Sequence, residues 1–168
     1  RFSVRDKSIL ITGATGSLGR VAARALADAG ARLTLAGGNA AALDELVGDA
    51  GIDDAVLVPC RPETPADAQA MVDAAVARHG RLDGVLVASG MNHVQPITEM
   101  DVEDFDKVMG ANVRGAWLVS QAAGRVMLEQ ELGGSIVLVS SVRGALGHSA
   151  GYSAYCPSKA GTDLLAKS

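Results

Sequence analysis

Aromatic side chains make up only 3% of this 168-residue chain, so its interior must be filled by Ala, Val, Leu and Ile. Cysteine is equally scarce. Cys60 and Cys156 are too few for a disulfide framework and read as reduced thiols. No apolar stretch is long enough to span a bilayer as a helix, and no charged-then-apolar leader is visible. These absences predict a cytoplasmic protein without a membrane partner. The formal net charge is -4, with Lys and Arg scattered rather than clustered, which argues against a nucleic-acid surface. No metal site is read from the chain. What is abundant is aliphatic: 48% hydrophobic residues suffice for one domain with a core of its own, spanning residues 1–168. The chain starts at Arg1 and stops at Ser168 inside a helical pattern without a Gly or Pro stop. It therefore reads as part of a longer polypeptide, whose remainder would hold further strands and a substrate lid.

Short apolar runs alternate with longer amphipathic ones. Strands are expected at residues 8–12, 32–36, 55–58, 84–88 and 135–140. Helices are expected at 18–29, 40–47, 66–79, 102–109 and 113–132, and from Tyr152 onward. Gly30 and Gly80 are the expected helix stops, Asn39 an N-cap, and His79 a cation in the last turn of its helix. Regular alternation predicts an α/β protein, a doubly wound parallel sheet with helices on both faces. Ligands of such sheets bind outside the carboxyl ends of the strands, near the reversal of strand order. Three features fall there: Thr12-Gly13-Ala14-Thr15-Gly16-Ser17-Leu18-Gly19, Ala88-Ser89-Gly90, and Ser140-Ser141.

The first is a glycine turn between a strand and a helix. Lacking Cβ atoms, Gly13, Gly16 and Gly19 permit a tight turn and the close approach of a pyrophosphate, which the helix N-terminus then favours electrostatically. The second chemical constellation is Tyr155-Cys156-Pro157-Ser158-Lys159. Four residues make about one helical turn, so a phenol and an ammonium share a face, with Ser140 and Ser141 shortly upstream.

These landmarks, with Asn112 in Ala111-Asn112-Val113-Arg114-Gly115, resemble in order those of the short-chain dehydrogenase/reductase family, from about Asp6 to the last residue. The likeness is to its single-domain branch of 3-oxoacyl reductases and sugar-acid dehydrogenases, whose fold is Rossmann-like. The resemblance implies a tetrad of Asn112, Ser141, Tyr155 and Lys159, with Ser140 the alternative to Ser141. Tyr155 would be the general acid/base. Lys159 would favour the tyrosinate and bond the nicotinamide ribose, Ser141 would orient the reacting oxygen, and Asn112 would hold a water linking Lys159 to solvent. The implied cofactor contacts are Gly13, Thr15, Gly16, Ser17, Leu18, Gly19, Gly38, Ser89, Gly90, Tyr155 and Lys159. Tyr152 has no Lys at the same spacing and is read as lining the substrate pocket. Arg143 is within reach of an anionic substrate, or else a solvated loop residue.

The chain also departs from that pattern. The family's middle glycine falls at Ser17, and the spacing here is Gly13-x-x-Gly16-x-x-Gly19. The strand ending in Ala36-Gly37-Gly38-Asn39 has neither the acid that holds NAD ribose hydroxyls nor the base that meets the NADP phosphate. Without a repelling carboxylate the reading leans to NADP over NAD. Arg61 stands where relatives carry an adenine-binding Asp, and Val87-Ala88 where they carry asparagines. The Ser141-to-Tyr155 interval is one residue longer than usual, so the loop 142–154 is expected to bulge. The expected function is alcohol–ketone interconversion on a small-molecule carbonyl or alcohol substrate, by a homodimer or homotetramer. The alternative is an inactive cofactor-binding scaffold subunit.

Overall fold

The computed structural model describes residues 3–168, and its core is a five-stranded parallel sheet. The strands are β1 (Ser8–Thr12), β2 (Arg32–Ala36), β3 (Val56–Val58), β4 (Gly84–Val87) and β5 (Ser135–Leu138), in the spatial order β3-β2-β1-β4-β5. Among the described residues five α-helices connect them and a sixth follows β5: α1 (Ser17–Asp28), α2 (Ala40–Ala50), α3 (Pro65–His79), α4 (Val102–Met109), α5 (Gly115–Glu129) and α6 (Tyr155–Leu165).

Successive side chains of β1 face opposite ways. Ile9 and Ile11 pack with Leu33, Leu35, Leu43 and Leu46 under α1 and α2, whereas Leu10 packs with Met71, Val72, Val119 and Ala123 under α3 and α5. Both faces are thus covered, as unbroken apolar strands require. Burying each of these Leu, Ile or Met side chains contributes about 1.5–3 kcal/mol. The chain winds outward from β1 through β2 to β3, then returns to lay β4 on the other side of β1. That reversal places Thr12 beside Val87 and opens a crevice at the carboxyl ends of β1 and β4. The β5 edge carries no further strand among the described residues, and Val137 on it is 56% exposed.

Most elements fall where the apolar pattern places them, with differences at their ends. The fourth and fifth strands stop at Val87 and Leu138, short of Ala88 and Ser140, because the chain there turns out of the sheet toward the crevice. The helix expected from Tyr152 starts at Tyr155, since Tyr152 is held in an isolated parallel bridge to Gln95. The helix expected over 113–132 is interrupted: residues Gly110–Arg114 form a π-helical turn, and α5 begins only at Gly115. Thr64 caps α3 through a reciprocal pair with Asp67, a Thr-x-x-Asp signal legible in the sequence. His79 stands with Arg78 in the last turn of α3; burial chiefly holds its pKa below the ordinary histidine value, and a backbone hydrogen bond at Leu33 opposes that shift.

At the amino-terminal edge of the sheet, Asp83 accepts from the Ser8 N–H (3.0 Å), Lys7 Nζ (3.1 Å) and Arg81 Nε (2.9 Å). Burial raises its pKa, but these donors outweigh that and hold it below the ordinary carboxylate value. A depressed folded-state pKa contributes stability above the unfolded value that is lost as pH falls through the folded one. Asp83→Asn is therefore expected to cost about 1 kcal/mol near neutral pH, modest because Lys7 and Arg81 are partly solvated. In denaturant titrations the gap from the parent protein should close in acid; a gap that persists there would assign the effect to packing.

Candidate active site

The crevice is built from three chain segments that leave the sheet. The glycine turn follows β1. Gly13 has φ +65°, and a Cβ there would stand 2.6 Å from the Ser89 backbone, so only glycine fits against the end of β4. A Cβ on Gly19 would collide with the Gly13 carbonyl oxygen and stand 2.8 Å from Ala14 Cα, and one on Gly16 would sit 3.3 Å from that same oxygen. All three glycines therefore belong to one tight cradle at the N-terminus of α1, a form that a diphosphate fits. Thr12 Oγ1 and Ser89 Oγ lie 2.9 Å apart and tie the ends of β1 and β4 together, while Val87 packs in the core. This hydroxyl pair does the bracing that Val87-Ala88 cannot. Ser17 and Leu18 are exposed on the cradle's rim, Leu18 at 62%; Thr15 is partly buried and stands beside Gly37.

The second segment is the π-helical turn carrying Asn112. An extra residue per turn widens a helix locally and re-aims the side chains on it. Asn112 Oδ1 accepts from the Met91 N–H (2.8 Å), and Nδ2 donates to the Met91 carbonyl (2.9 Å) and Ser158 Oγ (2.8 Å). Both amide hydrogens are spent on bracing the loop after β4 against α6. The Asn112 backbone carbonyl accepts from Thr162 Oγ1 at 3.3 Å. Gly90 completes this corner: a Cβ there would stand 2.9 Å from Asn112 Oδ1 and 3.6 Å from Lys159 Nζ. Asn112→Leu would leave the Met91 N–H and carbonyl and Ser158 without this partner. It is expected to cost about 2–4 kcal/mol by thermal or denaturant unfolding; a loss under about 0.5 kcal/mol would contradict this bracing role.

The third segment is α6 with the turn before it. Lys159 is 6% exposed, donates to the Val139 carbonyl at 2.9 Å, and lies 5.7 Å from the Tyr155 ring centroid. Burial pushes its pKa below the ordinary lysine value, with Asp163 partly opposing. Ser141 Oγ accepts the Arg143 N–H (3.2 Å) and caps a single 3-10 turn, Val142–Gly144. That turn packs on α6 so closely that a Cβ on Gly144 would stand 3.0 Å from the Lys159 carbonyl oxygen. Ser140 Oγ points instead to that carbonyl, at 3.4 Å. Tyr152 meets Tyr155 edge-on with centroids 6.0 Å apart, stacks against His148 at 4.8 Å, and has Arg143 6.0 Å above its ring. Arg143 also donates to the Gly147 carbonyl, so it stiffens the loop at the site's mouth. The lengthened loop is pinned across the crevice by the Gln95 N–H to Gly151 carbonyl bond, 3.0 Å. Both cysteines are free, and burial raises the Cys60 pKa, which keeps it a thiol.

The glycine cradle packs on Ser89 after β4, Gly90 beside it faces Lys159, and Lys159 lies by the Tyr155 ring, all beyond the carboxyl ends of the strands. A family model described as short chain dehydrogenase matches residues 7–168, and the chain belongs to that family. It is 81% identical over 167 residues to an uncharacterised oxidoreductase of Mycobacterium tuberculosis, covering 99% of this chain and 62% of that protein. It is 33% identical over 168 residues to the D-threitol dehydrogenase of Mycolicibacterium smegmatis, covering 99% of this chain and 64% of that protein. Among solved structures, NAD+-bound xylitol dehydrogenase superposes with a TM-score of 0.91 at 28% identity, covering 98% of this chain and 64% of that one. The chain thus spans less than two thirds of the length of these relatives. No helix among the described residues is long and apolar enough to cross a membrane.

Proposed function

We propose that the whole protein is a nicotinamide-dependent oxidoreductase that interconverts a secondary alcohol and a ketone, with Tyr155 as general acid/base. The observation that carries this reading is the Lys159 ammonium, buried and held 5.7 Å from the Tyr155 ring beside Gly90 and Asn112. In the oxidative direction the phenol oxygen takes the carbinol proton, and the nearby ammonium attracts the negative charge that this oxygen otherwise carries. In the reductive direction the phenol returns the proton to the carbonyl oxygen. Ser141 keeps its own O–H to donate to that oxygen, whereas the Ser140 hydroxyl is directed at the Lys159 carbonyl. Asn112 positions the loop carrying Met91 and would hold a water that links Lys159 to solvent. Gly13, Thr15, Gly16, Ser17, Leu18 and Gly19 would hold the dinucleotide's phosphates, and Gly38, Ser89 and Gly90 its riboses. The bound nicotinamide supplies or removes the hydride.

Two relatives are named for threitol and xylitol, so small polyols and the matching ketoses are the first substrates to try. The same reading expects a second copy of the chain against α5 and α6. A groove of about 510 Å³ there is lined by Met109, Val113, Trp117 and Leu165. Sedimentation of the whole protein as a monomer would contradict that part.

Titrating NADPH and NADH into the whole protein, followed by nicotinamide fluorescence, tests the reading, together with turnover of a polyol and carbonyl panel. Saturable binding with turnover is expected. Binding without turnover of any panel member would mark a cofactor-binding scaffold instead, and no binding of either nucleotide would end the cofactor claim.

A further inference from the structure

We propose that Arg61, at the end of β3, recognises the adenosine 2′-phosphate of NADP in place of the basic side chain that the end of β2 lacks, and so sets the preference for NADP over NAD. This inference rests on the cofactor reading above. Its starting point is an exchange of space between two positions. A Cβ on Gly38 would stand 3.0 Å from Arg61 Cγ, 3.2 Å from Cδ and 2.5 Å from Nε. The stem of Arg61 therefore lies flat across the bare face of Gly38, and glycine is the residue that leaves it room. Strands β2 and β3 run parallel with Ala36 paired to Val58, so residues 38 and 61 emerge side by side at the carboxyl edge. Gly37 stands on the same edge beside the glycine cradle: a Cβ there would meet Thr15 Oγ1 at 3.3 Å. The guanidinium thus reaches, from the neighbouring strand, the ground that a side chain at position 38 would occupy.

Arg20, the other cation nearby, and the Asn39 side-chain oxygen are already engaged. Arg20 donates to the Thr15 carbonyl (3.0 Å) and pairs with Glu45 at 3.3 Å. Asn39 Oδ1 accepts from the Ala42 N–H as the cap of α2. Arg61 is exposed, and among the described residues no carboxylate pairs with it. The first turn of α2 holds no acidic side chain that would repel an anion.

Chemistry then decides between the two nucleotides. A guanidinium has donors only, so it cannot accept from a ribose hydroxyl or an adenine amino group as a carboxylate would. A phosphate monoester matches it with two parallel charge-assisted bonds. The 2′-phosphate is the group that distinguishes the nucleotides, and Arg61 is the uncommitted cation beside Gly38.

The experiment measures dissociation constants of NADPH and NADH for the whole protein, with 2′,5′-ADP and 5′-AMP as competitors, at low and high salt. The parent protein should bind NADPH at least about tenfold more tightly than NADH, and Arg61→Ala should weaken NADPH and 2′,5′-ADP by about ten- to a hundredfold while moving NADH and 5′-AMP by less than about twofold. Added salt should erode the NADPH preference of the parent but not of the variant. Gly38→Ala, which displaces the guanidinium without removing its charge, should lower the NADPH preference part of the way. Equal effects of Arg61→Ala on both nucleotides, no effect on either, or a parent preference for NADH would overturn the assignment while leaving the cofactor site intact. Failure of the parent to bind any of the four would overturn the cofactor reading itself.

Discussion

Tyr155→Phe is expected to lower kcat by about 10²–10⁴-fold in both reaction directions while nucleotide affinity stays within about twofold. The change removes one oxygen and nothing of the ring that meets Tyr152 edge-on, so packing at the start of α6 is retained. Only the group that carries the proton is lost. The pairing of a large fall in turnover with unchanged nucleotide binding separates proton transfer from site collapse. A variant with more than about a tenth of parental activity would assign the acid/base role elsewhere. Tyr152 is the competing phenol, and Tyr152→Phe is expected to leave turnover within about threefold, because its ring packs on His148 and under Arg143 rather than beside the buried amine.

Lys159→Met should be comparably damaging, lowering kcat by about 10²–10³-fold. Methionine keeps the length and apolar stem of lysine but neither the charge nor the donor. The Val139 carbonyl loses its 2.9 Å partner, and the Tyr155 phenol loses its cation. Two pH effects follow from the burial that lowers the Lys159 pKa. Activity that needs the ammonium should decline at a pH below the ordinary lysine range, and this limb should vanish from the residual activity of the variant. Stability moves the other way. Between the lowered folded-state pKa and the unfolded value the unfolded chain binds more protons, so the parent gains stability as pH rises through that window. Lys159→Met should lack the gain. An identical alkaline limb in the activity of parent and variant would show that another group titrates there.

The parts of this site that could be read in the sequence are those with local causes. Gly13, Gly16 and Gly19 declare a turn because they follow an apolar run and precede an Ala-rich amphipathic one. Tyr155 and Lys159 declare a shared face because helical geometry repeats over about four residues. The alternation of runs predicts the parallel sheet, and the sheet's order supplies the crevice. What escaped the sequence depends on contacts between distant segments. The π-helical turn that re-aims Asn112 leaves no periodic mark, because Gly110–Arg114 is too short to shift the pattern of α5. The separate engagements of Ser140 and Ser141 arise from the packing of the Val142–Gly144 turn on α6. The Thr12–Ser89 hydroxyl pair joins residues 77 positions apart. Gly38 and Arg61 each look like the loss of a useful residue, and only their adjacency shows that one makes room for the other.

Direct hydride transfer is the core of this account, and isotope transfer tests it most directly. The whole protein would be incubated with oxidised nucleotide and a polyol that it turns over, carrying deuterium on every carbinol carbon, and the reduced nucleotide weighed by mass spectrometry. One deuterium per reduced nicotinamide is expected, with none gained from heavy water when the polyol is unlabelled. Reduced nucleotide that carries solvent hydrogen in place of the substrate's deuterium would contradict it.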